Sequence, residues 1–488
     1  MKFNIYLLTL LLTVVTVKSS YAQSCTCESN FQWLKKTFED NDAGFKYVID
    51  TKGRDAYEAH NQKILARIKE AKTKDECVAI MSEWLKFFRS GHSYVRSLVT
   101  SESTSAATPT TDNPPAPANW ETVAIQLDNF KKQVAAKKDP GYEGLWQSSP
   151  YTMAVTKKGE QYVGVIVESG APSWKPGMVK FRIIPGKDAT RSVFYMRNFS
   201  AVNSNKVEVI GRNSMKLGNY FLKRVYPDNL PDDPSIKEYF ASMSAEAPFL
   251  VKRNDNTFYL RVPSFNQSYR EMLDSILTAN KAELIKTKNL IIDIRNNGGG
   301  SDATYSSIIP FLYTNPIRGV GVEYYSTKTN NQRMLDFINN PEYNFNEKEK
   351  AWAKTSYEKL EQHLGEFVNL NDRIVGIDTL PNVYAYPQNV AIIINEGNGS
   401  TAEQFLLEAK QSKKVKLYGV TTYGVLDISN MYMLNSPCKD IQLGYALSRS
   451  LRIPDFTIDS KGLQPDYFID KSIPSHEWVN FVNTILND

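Results

Sequence analysis

Two glycine-rich turns in this sequence are built to do chemistry. The first is Asn289-Leu290-Ile291-Ile292-Asp293-Ile294-Arg295-Asn296-Asn297-Gly298-Gly299-Gly300, an apolar strand that runs into three glycines. Glycines leave the main chain uncovered, so the N–H groups of such a turn can converge on a substrate oxygen and hold its developing negative charge. A phosphate loop is the wrong reading, because there is neither a Gly-Lys-Ser/Thr ending nor a complete Gly-x-Gly-x-x-Gly series. A turn that merely packs tightly is the plainer alternative.

The second turn follows another apolar strand: Val390-Ala391-Ile392-Ile393-Ile394-Asn395-Glu396-Gly397-Asn398-Gly399-Ser400-Thr401-Ala402-Glu403. Its serine stands at the mouth of a helix, where the helix dipole favours an oxyanion and the N–H of Thr401 can face a reacting carbonyl. The competing reading is an N-cap, with Glu403 completing a capping box three residues on. The pattern differs from the Gly-x-Ser-x-Gly elbow of α/β-hydrolases.

Elements that would position these turns follow from periodicity. Residues 30–90 repeat apolar side chains at helical spacing (Phe31, Leu34, Phe38; Ile64, Ile68, Ala71; Ile80, Trp84, Phe87, Phe88) and read as a small helical bundle, closed by a short strand at Tyr94-Val95. Residues 101–119 are Ser, Thr, Pro and Ala with little to bury, which predicts a flexible linker. A helix within 120–138 is followed by β-rich runs at 151–155, 161–167, 179–184, 193–196, 207–210 and 220–225, a small barrel or sandwich. From 239 onward strands (258–262, 289–294, 390–394) alternate with helices (269–286, from 302, 346–367), which predicts a mixed α/β domain.

The N-terminus, with Lys2, the apolar run 5–17 and the small residues of Ser20-Tyr21-Ala22, reads as a signal peptide cleaved after Ala22; the run is shorter than the ~20 residues a membrane span needs. Acylation of Cys25 is the minority alternative, since Gln23 and Ser24 are a poor approach to a lipid-modified cysteine. Cleavage removes two lysines from a formal charge of +5, and short basic runs such as Lys413-Lys414 read as solvated faces, so neither charge nor pattern points to nucleic acid. Cys25, Cys27, Cys77 and Cys438 allow three full pairings in an oxidising compartment. A bridge from Cys25 or Cys27 to Cys77 is preferred because it ties the new N-terminus to a nearby helix. Cys-x-Cys is the wrong spacing for zinc, and no metal or other cofactor is expected.

Four motifs in order carry a resemblance. Asp293-Ile294-Arg295-Asn296-Asn297-Gly298-Gly299-Gly300 resembles the Asp-Leu-Arg-Asn-Asn-Pro-Gly-Gly signature of tail-specific (C-terminal-processing, S41) serine peptidases, with Gly298 in place of proline. Ser400-Thr401-Ala402-Glu403 resembles that family's Ser-Ala-Ser-Glu, Gly419-Val420-Thr421-Thr422-Tyr423-Gly424 its Gly-x-x-Thr-x-Gly, and Gly462-Leu463-Gln464-Pro465-Asp466 its Gly-x-x-Pro-Asp. The resemblance implies a ClpP/crotonase-like α/β core, a peptide or protein substrate, Ser400 as the nucleophile, and the N–H groups of Gly299 and Thr401 as the oxyanion donors.

The better-known branch of the family takes its base from a lysine directly after Gly-x-x-Thr-x-Gly, where this chain has Val425. The tricorn-like branch uses a histidine far upstream, and Ser90-Gly91-His92-Ser93 stands in that place. Of four histidines only His92 has a glycine and a hydroxyl beside it at an element boundary, which makes it the expected base. Ser93 and Asp459 are the candidates for orienting it, with Asp427 as another acid. The expected organisation is a leader (1–22), helical domain (23–100), linker (101–119), β-rich middle domain (120–238) and peptidase core (239–488). A catalytically inactive relative that binds peptide or another ligand is the rival, motivated by the missing lysine. A crotonase-like acyl-CoA enzyme fits the leader poorly.

Overall fold

A computed structural model describes residues 25–98, 115–228, 230–343, 345–371 and 373–488. The leader and most of the linker lie outside them; residues 115–119 are exposed. No helix among the described residues is long and apolar enough to cross a membrane. The chain divides into two compact units, each assembled from separated stretches.

The first unit gathers the described residues through Leu98 with Glu323–Leu370 and Ile428–Arg449. Helices Cys27–Asn41, Phe45–Lys52, Arg54–Glu70 and Lys74–Lys86 pack around Trp84, which Phe31, Phe38 and Phe88 contact ring to ring. Two of the helices start on capping boxes, at Thr26 and Thr73. The predicted strand extends over Tyr94–Ser97 and pairs antiparallel with Ile441–Ser450, which also pairs with Ile428–Asn435. Of the expected bridges, Cys27–Cys77 is present; Cys25 instead pairs with Cys438, 413 residues away. Sequence spacing carries no trace of that partner because the pairing of Ser97 with Ile441 is what brings residue 438 to the helices.

The second unit contains the β-rich middle module and the α/β core. The module is one antiparallel nine-stranded sheet running from Ala201–Ser204 at one edge to Val207–Ile210 at the other, preceded by helix Leu127–Ala135. Its core holds a lysine: Lys180 is 1% exposed, with its ammonium 3.8 Å from the Trp174 ring centroid and 4.0 Å from that of Tyr151.

The core sheet has the order β1 (Phe249–Asn254), β2 (Thr257–Arg261), β3 (Asn289–Asp293), β4 (Asn389–Ile394), β5 (Val415–Gly419) and β6 (Tyr467–Phe468). Strands β2 to β6 are parallel, and β1 closes one edge antiparallel. Buried on both faces, the parallel strands read as continuous apolar runs. Side chains alternate: Leu290, Ile292 and Ile392 face helices α1 (Arg270–Leu284) and α2 (Thr401–Ala409), while Ile291, Ala391 and Ile393 face α3 (Trp478–Asn487). At ~1.5–3 kcal/mol for each large apolar side chain buried, this sandwich is a rigid base for the turns that leave its C-terminal edge.

Candidate active site

Both glycine-rich turns emerge from neighbouring strands, because β3 and β4 pair in register from Asn289↔Asn389 to Asp293↔Ile393. At the end of β3, burial pushes the carboxyl of Asp293 up, but Arg295 and Arg261 outweigh it and hold the group below the usual carboxylate range. Arg295 grips that carboxylate from Nε and Nη2 and donates from Nη1 to the Ser475 carbonyl at 2.7 Å. The Asp-x-Arg pair is therefore a clamp at the base of the triple-glycine turn.

Above it, two asparagines that are fully buried brace one turn against the other. Asn398 Nδ2 donates to the carbonyls of Ile294 and Asn297, and its Oδ1 accepts from Asn395 N–H at 2.7 Å. Asn297 Nδ2 donates to the Val262 carbonyl at 3.2 Å, and its Oδ1 accepts from Gly299 N–H at 2.9 Å. A Cβ on Gly299, whose φ is +105°, would lie 2.8 Å from Thr401 N and 2.9 Å from Ser400 Cβ. Only glycine permits this approach, which seats the triple-glycine turn directly against Ser400.

Ser400 has φ 56° and ψ −127°, a conformation a serine adopts only where the surroundings impose it. It precedes α2 yet makes no side-chain capping bond to that helix. Without that bond no capping box forms, although Glu403 reaches back to the Ser400 backbone. Its carboxylate, fully buried, accepts from Thr422 Oγ1 at 2.5 Å, Gly424 N–H at 2.7 Å and Val425 N–H at 2.9 Å. Burial pushes its pKa up, against these hydrogen bonds. Glu403 thus ties the Gly-x-x-Thr-x-Gly segment beneath the nucleophile turn. Val425, where the family's other branch has lysine, accepts from Ser400 N–H at 3.2 Å. Thr401 N–H belongs to the first turn of α2, whose amides have no intrahelical acceptors.

The two candidate acids, Asp459 and Asp427, both accept from backbone amides. Asp459 Oδ1 accepts from Leu426 N–H at 2.6 Å and Asp427 N–H at 2.7 Å, while Asp427 Oδ2 accepts from Ile458 N–H at 2.6 Å and Asp459 N–H at 2.8 Å. The two carboxylates buckle residues 426–427 to 458–459. Lys414 and Lys416 lie at the N-terminal end of β5, whereas Gly419, which opens the Gly-x-x-Thr-x-Gly segment, ends that strand.

In the other unit, His92 sits in a tight turn with φ 52°. Its Nδ1 is 2.7 Å from the Ile428 carbonyl. A carbonyl can only accept, so Nδ1 carries the proton in the neutral ring and the lone pair is on Nε2. Burial, followed by the nearby Arg89 charge, lowers the imidazole pKa against the opposing Ile428 bond. Arg89 donates to the His92 carbonyl at 2.7 Å and forms a bidentate pair with buried Asp42, whose Oδ2 also accepts from Ala446 N–H. Ser93 Oγ is buried with no hydrogen-bond partner among the described residues. His60 stacks on Phe87, and His363 and His476 lie beside Glu366 and Glu477.

Residues 256–469, which span β2 to β6 and every motif above, match the model of Peptidase family S41. This chain carries an S41 peptidase domain. Among solved structures, mature CPAF complexed with lactacystin matches with a TM-score of 0.50 and 12% identity, over 94% of this chain and 97% of that one. At that identity the likeness shows the fold. The photosystem II D1 C-terminal processing protease (TM-score 0.38, 11% identity, 95% of this chain and 98% of that one) and the tricorn protease (0.39, 13%, 94% and 36%) also match. No curated protein matches the sequence. What sequence reasoning missed in the S41 domain is its bracing: Asn297, Asn398, Glu403 and Thr422. Glu403 carried a signal, but a cap is the commoner use of Ser-x-x-Glu.

Proposed function

We propose that the protein is an exported serine peptidase of the tricorn-like type, hydrolysing peptide bonds through an acyl-serine. Ser400 Oγ attacks the peptide carbonyl and His92 Nε2 takes its proton, then returns it to the departing amine; water completes the cycle by the reverse route. Thr401 N–H and Gly299 N–H hold the oxyanion. Because Gly299 N–H is engaged by Asn297 Oδ1, the substrate oxygen must replace that acceptor. Each donor of this kind is worth ~10²- to 10³-fold in turnover.

The reading rests on one observation: Ser400 is held in a strained conformation against the triple-glycine turn with its hydroxyl withheld from the cap it would otherwise make. The choice of His92 rests on the tricorn-like resemblance and on the Ile428 bond, which puts the ring proton on Nδ1 and the lone pair on Nε2. Ser93, next to His92 in the chain, and Asp459, through the 426–427 backbone, act as positioning residues. A cavity of about 320 Å³ lined by Lys206, Lys216 and Tyr220 of the middle module and by Asn296, Glu396 and Gly397 gives an extended peptide a path to both turns. Two disulfides fit an oxidising destination reached through the 1–22 leader.

A fluorophosphonate probe tests the mechanism. The mature protein is expected to be labelled at Ser400, Ser400→Ala to show no label, and His92→Ala to label at least about 10²-fold more slowly. A folded wild-type protein that takes no label at Ser400 would favour an inactive peptide binder, the reading suggested by the occupied Gly299 amide. Full-rate labelling of His92→Ala would remove the histidine from the mechanism.

A further inference from the structure

The N-terminal edge of the core sheet carries a second, unrelated concentration of charge. Lys288 precedes β3, Asn389 opens β4 and Lys414 precedes β5. Backbone bonds set them side by side: Asn389 N–H donates to the Lys288 carbonyl at 3.1 Å and Val390 N–H to the Lys414 carbonyl at 2.8 Å. With Lys416 they line a cavity of about 330 Å³, whose other walls are Tyr418, Tyr467 and the end of α3. The strand β4 separates this cavity from the Ser400 turn by about 20 Å of chain.

The sequence reading of Lys413-Lys414 as a solvated face holds for Lys413 and fails for Lys414, which is half-buried. Among the described residues the Lys414 ammonium finds only the Tyr384 carbonyl, at 3.4 Å, and burial pushes its pKa down to about 8. None of the three lysines forms an ion pair among the described residues, although Asp488 lines the same cavity. Three ammonium groups gathered round a concavity outnumber the carboxylate of Asp488 and leave it net positive, and a ligand of opposite sign relieves their mutual repulsion. One wall is suited to a ring: Tyr418 and Tyr467 stack at 4.7 Å and 8°, and Tyr467 remains 46% exposed.

We infer that this cavity binds a small oxyanion of the phosphate class carried on a planar ring, the anion held by Lys288, Lys414 and Lys416 and the ring laid on Tyr467. Binding here is independent of the proposed peptidase chemistry. Calorimetric titration of the mature protein with inorganic phosphate and with phenyl phosphate tests it. Phenyl phosphate is expected to bind the more tightly, and the Lys414→Gln/Lys416→Gln double variant to weaken both probes by about tenfold or more. Tyr467→Ala is expected to lower phenyl phosphate affinity to that of phosphate and leave phosphate itself unchanged. Fluorophosphonate labelling of Ser400 serves as the folding control and stays at the wild-type rate in all variants; if wild type itself does not label, circular dichroism takes that place. Absence of binding at millimolar probe, or equal affinities in wild type and the lysine variant, would overturn the inference.

Discussion

The Ser400 turn and the His92 turn solve one problem by opposite means. Each forces a non-glycine residue into a left-handed φ, 56° at Ser400 and 52° at His92. Around Ser400 itself the direct restraint comes mainly from amides, Asn297, Asn398 and backbone N–H groups, with the Glu403 carboxylate beneath and the Asp293–Arg295 pair one step removed at the base of the neighbouring glycine turn. Around His92 it comes from an ion pair, Arg89–Asp42, whose side chains are 5% and 0% exposed. A network of neutral bonds can lose one member and stay satisfied elsewhere, while a buried ion pair cannot lose half of itself. The difference teaches that the proposed base is the more brittle half of the machinery, although it is not where the signature motif lies.

Breaking the ion pair gives the largest effect. Asp42→Ala leaves Arg89 buried and unpaired, and is expected to destabilise the protein by ~3–5 kcal/mol in a thermal or denaturant melt. A cost below that of an ordinary surface substitution would mean the pair is dispensable. Next comes Glu403→Ala, which strips the acceptor from Thr422, Gly424 and Val425; ~2–3 kcal/mol of stability and slower labelling of Ser400 are expected. Glu403→Gln, which restores an acceptor, should recover part of both.

A pH profile sharpens the comparison without a mutation. Burial favours the neutral imidazole, which is the form that accepts a proton. Labelling should therefore persist as pH falls through the ordinary histidine range near ~6.5 and drop only below it. An acid limb above that range would contradict the burial of His92. The smallest effect belongs to Lys180, in neither turn. Its burial lowers the amine to about 7, so between about 7 and the ordinary 10.5 the unfolded chain takes up the proton first and stability rises with pH. The surrounding rings favour the ammonium and shallow that slope. Lys180→Met should flatten it further, measured as midpoint against pH.

Local signals were read well. The apolar runs at 289–294 and 390–394 became β3 and β4, and the charged stretch from 346 became helix Glu347–Glu361, because propensity and burial agree there. Long-range pairing was not legible. Nothing in residues 428–449 announces that they join the N-terminal helices, since strand register is set by a partner hundreds of residues away. The three strands missed in the middle module (Gly144–Ser148, Ala201–Ser204 and Ser214–Leu217) are five residues or shorter, too brief for alternation to stand out. At the candidate site, Ser400 and the glycines are singled out by motif resemblance, while the direction of each side chain is not legible in the sequence. Glu403 gathers the 422–425 segment as well as the Ser400 backbone, Asn297 takes the Gly299 amide, and Asp459 accepts from the amides of Leu426 and Asp427.

The Cys25–Cys438 bridge has a consequence for how the molecule wears out. It closes a covalent ring round most of the polypeptide, and a cut anywhere between those two positions opens the ring without releasing a fragment. A nicked molecule would keep its mass on a non-reducing gel and come apart only with thiol. It also means that the ring cannot be sealed during synthesis until nearly the whole sequence has been made.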